Sequence, residues 1–227
     1  MRILSIILLT GLLSLCFVSA LHTQWVQTNG PYGGDVSCSV LSDADLFVGI
    51  TDSYVGRGVF RSSDNGISWS AANSGIANNQ YIQSLAKLGT DLFAGTYGSV
   101  FRSTNNGTSW AAVNSGLPSS YYVWALSASG TNLFAGTNGG GVYRSTDNGT
   151  NWIAVNNGLT NPNINALIVS GTNLFAGTYG DGVFRSTNNG TSWSQVNSGL
   201  TDTFVLSLAV SDTNLFAGTY DGGVFLS

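Results

Sequence analysis

The stretch INALIVSGTNLFAGTYGDGVFRSTNNGTSWSQVNSG, residues 164–199, contains four short runs of strand-forming residues separated by turn residues. The predicted strands are 164–169, 173–178, 182–186 and 192–196, and the turns between them are rich in Gly, Asn, Ser and Thr. No window has the 3.6-residue period of an amphipathic helix. The stretch therefore predicts a four-stranded antiparallel unit.

This unit repeats along the chain. Four LFAGT segments place Phe93, Phe134, Phe175 and Phe216 at intervals of 41 residues, and LFVGI around Phe47 is an earlier copy. Four strands in 40 to 45 residues are typical of a β-propeller blade. A parallel β-helix, the alternative repeat fold, would use much shorter coils. We therefore predict an all-β fold, a five-bladed β-propeller of four-stranded antiparallel blades.

The number of blades follows from the strand count. Four complete units begin near Val36, Ile82, Val123 and Ile164. An isolated fourth strand, QWVQTNG (24–30), precedes them, and three strands follow between 205 and 227. These twenty strands suffice for five blades, so we expect the N-terminal strand to complete the last blade and close the ring. An open ring would expose unpaired strand edges. The alternative is a fragment of a longer repeat array.

The first twenty residues have a different composition. Arg2 precedes a long apolar run that ends in Val18-Ser19-Ala20, which is typical of a secretory signal peptide cleaved after Ala20. The alternative, a permanent membrane anchor, would be near the shortest length that spans a bilayer. The predicted domains are a signal peptide (1–20) and a propeller (21–227). We expect a bacterial protein, secreted or at the cell surface, monomeric and without a membrane span after cleavage.

Composition excludes several classes of protein. Hydrophobic residues make up 43% of the chain and the net charge is only -4, so the chain is not intrinsically disordered. The seven Lys and Arg residues form no basic run, which argues against a nucleic-acid partner. Cys38 is the only cysteine after the predicted leader, so no disulfide within the exported domain is expected. Its counterparts in the other repeats are Ser or Ala, which predicts a small buried residue.

The turn between the third and fourth strands is the most regular motif. It reads RSSDNGISW (61–69), RSTNNGTSW (102–110), RSTDNGTNW (144–152) and RSTNNGTSW (185–193). These turns resemble the Asp-box, or bacterial neuraminidase repeat, with the pattern Ser-x-Asp-x-Gly-x-x-Trp. The matching positions are Ser62, Asp64, Gly66, Trp69; Ser103, Asn105, Gly107, Trp110; Ser145, Asp147, Gly149, Trp152; and Ser186, Asn188, Gly190, Trp193.

The residues explain the motif as a structural one. An Asp or Asn oxygen can accept a hydrogen bond from the backbone two residues on, and Gly can adopt the left-handed conformation of a tight turn. Asp64 and Asp147 alternate with Asn105 and Asn188, so the position needs an oxygen acceptor and not a charge. We predict no metal ion and no cofactor at these turns.

The resemblance implies a propeller of the sialidase-like class, which includes sialidases, xyloglucan hydrolases and non-catalytic assembly factors. Sialidases of this class use three convergent arginines, a Tyr–Glu nucleophile pair and an Asp acid. This sequence has no Glu and only one His, His22, and its repeated arginines occur once per blade at Arg61, Arg102, Arg144 and Arg185. We assign no catalytic residue and favour a non-enzyme. A hydrolase that uses two Asp carboxylates stays an alternative.

The resemblance also implies that a ligand binds on the face opposite the Asp-box turns, at the loops between second and third strands and the connections between blades. Tyr, Asn and Asp in these loops favour a glycan or an extracellular protein as partner. The competing interpretation is that these residues only form turns. The candidate binding residues are Asp52, Tyr54, Arg57, Tyr97, Trp124, Asn138, Tyr179, Asp181, Tyr220 and Asp221.

Overall fold

The computed structural model describes residues 27–31, 34–51, 58–77 and 80–227, whose regular elements are all β-strands in five antiparallel sheets. Blade one contains β1 Val36–Ser42, β2 Asp45–Ile50, β3 Gly58–Ser62 and β4 Ser70–Ala71. Blade two contains β5 Ser84–Leu88, β6 Asp91–Gly95, β7 Val100–Ser103 and β8 Ala111–Ala112. Blade three contains β9 Val123–Ser129, β10 Asn132–Thr137, β11 Gly141–Ser145 and β12 Ile153–Ala154. Blade four contains β13 Ile164–Ser170, β14 Asn173–Thr178, β15 Val183–Ser186 and β16 Ser194–Gln195. Blade five contains β17 Val205–Ser211, β18 Asn214–Thr219 and β19 Val224–Leu226.

The predicted five-bladed propeller is confirmed. Within each sheet the strands pair in chain order, so that every blade is a meander. The first strand of each blade lies beside the first strand of the next, from β1 through β5, β9 and β13 to β17. The first strands are therefore the inner ones, and the fourth strands form the rim.

The fourth strands are shorter than the sequence indicates. We predicted a strand over 192–196, whereas β16 contains only Ser194 and Gln195. A side chain takes over the next bond of the ladder, because the Val183 amide donates to Oδ1 of Asn197 at 2.7 Å. The same Asn position accepts the amide of the third strand in blades one, two and three. The rim is thus held as much by these asparagines as by strand pairing.

The hydrophobic core lies between the blades. Phe134, in the LFAGT segment of blade three, is fully buried in a cluster with Leu174, Phe184 and Trp193 of blade four. Equivalent clusters lie between blades one and two and between blades two and three. The Gly of the same LFAGT segment allows the two blades to pack closely, because a Cβ on Gly136 would come within 2.6 Å of Ile164 in the next blade. Each interface therefore depends on a large and a small residue from one short strand.

The two end blades leave apolar residues exposed. Val36 and Leu41 of β1 are exposed, and so are Leu206 of β17 and Val224 of β19. The predicted closing strand is not shown, because residues 24–26 lie outside the described residues. Of its described part, Asn29 forms an isolated parallel bridge with Ser68 in the first blade. Ring closure thus stays a prediction. The described residues include no helix of the length and hydropathy that crossing a membrane would need.

Candidate binding surface at the loop end

The loops between second and third strands lie beside the segments that lead into the following blade. Antiparallel bridges join Tyr97 to Tyr122 and Asn138 to Asn163. The Asn138 amide also donates to the carbonyl oxygen of Tyr122 at 3.0 Å, so this leading segment is held between two loops. We call this surface the loop end, formed by residues 80–83, 96–99, 121–124, 137–141, 161–165, 178–182, 202–206 and 219–223.

Three aromatic side chains from blades two and three come together at the loop end. The ring centroids of Tyr97 and Tyr122 are 4.7 Å apart, and those of Tyr122 and Trp124 are 6.4 Å apart. Tyr97 is 48% exposed. In blade four, the position of Trp124 is held by Asn165, whose side chain donates to the Val205 carbonyl of the next inner strand. Trp124 thus provides a flat apolar surface where another blade has a polar bridge.

A second aromatic pair lies between blades four and five. Tyr179 and Phe204 make an edge-to-face contact, with centroids 4.9 Å apart and an interplanar angle of 81°. Both rings are exposed, Tyr179 at 52%. Tyr179 was predicted from the sequence, whereas Phe204 was not. A signal existed, since Phe204 follows the equally placed Tyr122 by two 41-residue repeats.

Two acidic residues of the loop end, Asp181 and Asp202, stabilise its loops. The Asp181 carboxylate accepts a hydrogen bond from the Thr160 hydroxyl at 2.5 Å. Asp202 accepts the backbone amides of Phe204, Asp221 and Gly222 at 2.8 to 2.9 Å, and these bonds hold the pKa of its carboxyl below the usual value. Asp202 thereby ties the loop of blade five to the segment that leads into that blade.

The remaining predicted residues have different surroundings. Asn138 joins the chain connections through its backbone, as described above. Tyr220 is exposed, and among the described contacts its amide bonds to the Phe204 carbonyl. Asp52, Tyr54 and Arg57 lie outside the described residues, so their place in a site stays a prediction.

The Asp-box-like turns have one hydrogen-bond pattern in all four blades. In blade four, Ser186 Oγ donates to Oδ1 of Asn188 and accepts the amide of Gly190, both at 2.9 Å. Oδ1 of Asn188 also accepts the Ser192 amide at 2.9 Å. In blade one, Asp64 accepts the Ser68 amide in the same way. The predicted oxygen acceptor is present, but the amide that the structure pairs with it lies four residues on and not two.

The Trp of the turn reaches the preceding blade in blades two, three and four. The Nε1 atoms of Trp110, Trp152 and Trp193 donate to the carbonyl oxygen of the residue that follows the previous fourth strand, at 2.7 to 2.9 Å. Trp69 differs, since its Nε1 donates to Gly66 in its own turn. The motif therefore fastens one blade to the next in three of its four copies.

The repeated arginines have separate partners. Arg61 and Arg102 form ion pairs with Asp45 and Asp91, at 2.8 and 2.5 Å. Arg144 donates to the Asn189 carbonyl in the turn of the next blade at 3.0 Å. These three arginines therefore do not converge on a common ligand.

Three Asp side chains among the described residues are unsuited to the role of a general acid. Three carboxyl groups have a shifted pKa, Asp64, Asp147 and Asp202, and all three shifts are downward because hydrogen bonds stabilise the charged form. A general acid for glycoside hydrolysis needs a raised pKa. In the described part of the chain, no group of three or more His, Cys, Asp or Glu side chains could hold a metal ion.

Comparison with known proteins supports the fold. The extracellular domain of a hybrid two-component system from B. thetaiotaomicron matches 89% of this chain with a TM-score of 0.72 and 19% identity. A GH74 xyloglucanase from Xanthomonas campestris matches 86% with a TM-score of 0.64 and 17% identity. YCF48 bound to D1 peptide matches 89% with a TM-score of 0.66 and 18% identity. No protein-family model and no curated protein matches the chain.

These proteins are larger than the matched region. The chain covers 28% of the two-component system domain, 36% of the xyloglucanase and 67% of YCF48. At these identities the likeness defines the class of the fold, a β-propeller, and does not define an activity.

Proposed function

We propose that this chain is a secreted, non-catalytic β-propeller of the Asp-box type that binds a glycan or an extracellular protein at its loop end. The observation that carries the proposal is the presence of two aromatic groups on this surface, Tyr97 with Tyr122 and Trp124, and Tyr179 with Phe204. Of these side chains, Tyr97, Tyr179 and Phe204 are exposed. Aromatic rings offer flat apolar area beside polar edges, which suits both sugar rings and peptides.

Two further observations support a binding role. The backbone bridges and the Asp202 hydrogen bonds hold the loops that carry these rings, so less conformational entropy is lost when a ligand binds. Among proteins of similar fold, one is described as bound to a peptide and another as a xyloglucanase, so both ligand types occur on related architectures. These neighbours show the fold alone, and the ligand class here comes from the surface chemistry.

The cellular location is part of the proposal. The apolar leader of residues 1–20, with its small residues before the predicted cleavage site after Ala20, supports export of the protein. The bacterial source and the monomeric state are further parts of the proposal. N-terminal sequencing of the protein recovered outside the cells checks the export step, and a mature protein that retained residues 1–20 would contradict it.

A glycoside hydrolase of the sialidase-like or xyloglucanase-like class is the second candidate, and the likeness to a GH74 enzyme favours testing it. Release of reducing sugar from sialosides or β-glucans, abolished by a single Asp→Asn substitution, would establish catalysis and overturn the binding-only proposal. We expect no release.

The binding test uses a glycan array and a panel of extracellular peptides. Tyr97→Ala and Tyr179→Ala are expected to weaken retention of any ligand found by about tenfold or more, since burying an aromatic side chain contributes on the order of 1.4 kcal/mol or more. The control is Ile153→Ala, which removes a 54% exposed side chain on the outer strand β12. Tyr54→Ala and Arg57→Ala test the predicted loop 51–58 in the same assay. Unchanged binding in all four variants would refute the loop end as the binding surface.

A further inference from the structure

A cleft of about 350 Å³ lies at the rim between blades four and five. Its apolar lining comes from both blades and includes Phe175, Val183, Val196, Leu200, Leu215 and Phe225. Phe175 is only partly buried here, whereas its copies Phe47, Phe93 and Phe134 are fully buried. The interface between blades four and five therefore lacks a side chain that covers the equivalent Phe in the other three interfaces.

The equivalent positions one repeat earlier identify the missing side chain. Subtracting one repeat of 41 residues from each of those six lining positions gives Phe134, Val142, Val155, Leu159, Leu174 and Phe184. All six surround Trp193 in the cluster between blades three and four. The cleft therefore has the same kind of lining as the site that holds the Trp193 indole. The described strands of blade five supply no indole to fill it.

The glycine that faces the Trp backbone in the other interfaces also has no neighbour at this cleft. At Gly75, Gly116 and Gly158, a Cβ would collide with the carbonyl oxygen of Trp110, Trp152 and Trp193 respectively. Gly199 is the next copy and has the same left-handed backbone, with φ of 83°, but a Cβ there meets nothing within 4 Å. Val196, whose counterpart Val155 accepts the indole hydrogen bond of Trp193, is 37% exposed.

We propose that Trp25 of the same chain occupies this cleft and closes the ring. Trp25 belongs to QWVQTNG (24–30), which aligns without a gap with SWSQVNSG around Trp193. Trp25, Gln27 and Asn29 are identical to their counterparts in that stretch. The indole Nε1 of Trp25 donates to the Val196 carbonyl, and its backbone approaches Gly199. The equivalent site holds a Trp side chain in each of the other three interfaces, so its shape and chemistry fit an indole.

The position of Thr28 supports this choice. In blades two and three the residue three places after the Trp lies against the turn of the next blade, as Val113 does at Gly149 and Val155 does at Gly190. Thr28 is three places after Trp25, and its Cγ2 is 3.9 Å from the position of a Cβ on Gly66 in the turn of blade one. The chain next to Trp25 thus already lies on the blade-one side of the gap.

The proposal fixes a strand register. In blade four, Arg185 pairs with Ser194 and Phe184 pairs with Gln195. One repeat later, Leu226 lies opposite Val26 and Phe225 opposite Gln27. Residues directly opposite in an antiparallel pair are close enough for a disulfide, with Cα atoms about 4.5–5.5 Å apart.

Cross-linking tests that register in the full chain. With Cys16→Ala and Cys38→Ser as background, Val26→Cys combined with Leu226→Cys is expected to form a disulfide within one molecule on mild oxidation. The matched control combines Gln27→Cys with Leu226→Cys, whose side chains lie on opposite faces of the sheet, and is expected to cross-link at least about tenfold more slowly. A covalent dimer would assign the cleft to the strand of a second copy, and absent or equal cross-linking would equally overturn the proposal.

A stability measurement gives an independent readout. Trp25→Ala is expected to lower Tm by about 10 °C, because truncating a buried aromatic side chain in a domain of this size costs that much. Ile153→Ala is the control and should leave Tm nearly unchanged. Equal Tm values for the wild type and Trp25→Ala would mean that the indole is not buried in the cleft.

Discussion

The Nε1 atom of Trp193 donates a 2.7 Å hydrogen bond to the carbonyl oxygen of Val155, which belongs to the preceding blade. This indole is buried, and its bond crosses from the turn of one blade to the rim of another. Trp69 holds the same motif position in blade one, yet it is only partly buried and bonds within its own turn. The Trp of the motif therefore contributes differently to the packing between blades at these two positions.

The first prediction compares these two tryptophans. Trp193→Ala should lower the free energy of unfolding by about 3–5 kcal/mol, because it leaves a cavity in the interface and an unpaired carbonyl. Trp69→Ala should cost clearly less, about 1–2 kcal/mol, since less apolar surface returns to water. Urea denaturation measures both. Equal losses would show that Trp69 is buried as deeply as Trp193 in solution.

The second prediction concerns charge in the turns. Hydrogen bonds from Ser68 lower the pKa of Asp64 to about 2, and those from Asn151 lower the pKa of Asp147. A carboxyl whose pKa is depressed in the folded state stabilises the fold above the unfolded pKa of about 3.9, and this contribution disappears as the pH falls through about 2. Asp64→Asn with Asp147→Asn should therefore lose less Tm than the wild type between pH 4 and pH 2, because the variant has no carboxylates to protonate in these turns.

Asn105 and Asn188 make this double variant conservative, because they already occupy the position in blades two and four. Thermal scans across the pH range provide the measurement. A Tm that falls as steeply in the variant as in the wild type between pH 4 and pH 2 would contradict the prediction.

The third prediction separates backbone strain from steric clash. Gly107 and Gly130 both have positive φ, 77° and 59°. Gly130→Ala should cost about 1–2 kcal/mol for the left-handed conformation alone, because a Cβ there meets nothing within 4 Å. Gly107→Ala should cost about 1–3 kcal/mol more, since its Cβ would lie 2.5 Å from the ring of buried Phe47. Similar unfolding free energies for the two variants would contradict the packing of this turn on Phe47.

The fourth prediction concerns the thiol of Cys38. Burial raises its pKa to about 11, although a hydrogen bond from Ser37 opposes the shift. Because the thiolate is the reactive form, labelling by a thiol reagent at pH 8 should be roughly a hundredfold slower in the folded protein than in urea. The measurement uses a Cys16→Ala background. The raised pKa also implies that stability is lost as the pH rises from about 9 to 11, and fast labelling of the folded protein would contradict both statements.

Much of the fold could be predicted because the repeat is nearly uniform. LFAGT recurs in one register, and its first three copies place their Phe in an interface and their Gly against the next blade. The length of the fourth strand could not be predicted, because it depends on whether the Val183 amide bonds to a backbone carbonyl or to the side chain of Asn197. The strand propensity of the residues does not distinguish a backbone acceptor from a side-chain acceptor.

The candidate site was predictable in part. The loops with Tyr97 and Tyr179 were identified from their position in the repeat, but the contact of Tyr122 with Trp124 depends on how neighbouring blades are placed. The role of Asp181 also depends on a tertiary partner, since Thr160 precedes it by 21 residues. Local sequence cannot show whether a carboxylate is free to meet a ligand or is already used by the fold.

The four hydrophobic clusters of the described residues lie between consecutive blades, so a single blade on its own would have no neighbour on which to bury its Phe or Trp. A blade thus needs at least one neighbour to bury these residues, and stability accumulates step by step along the array, as in one-dimensional nearest-neighbour models. Gene duplication of one 41-residue unit would add a complete interface together with the new blade. Such a chain can lengthen without designing a new core, which agrees with the near identity of its copies.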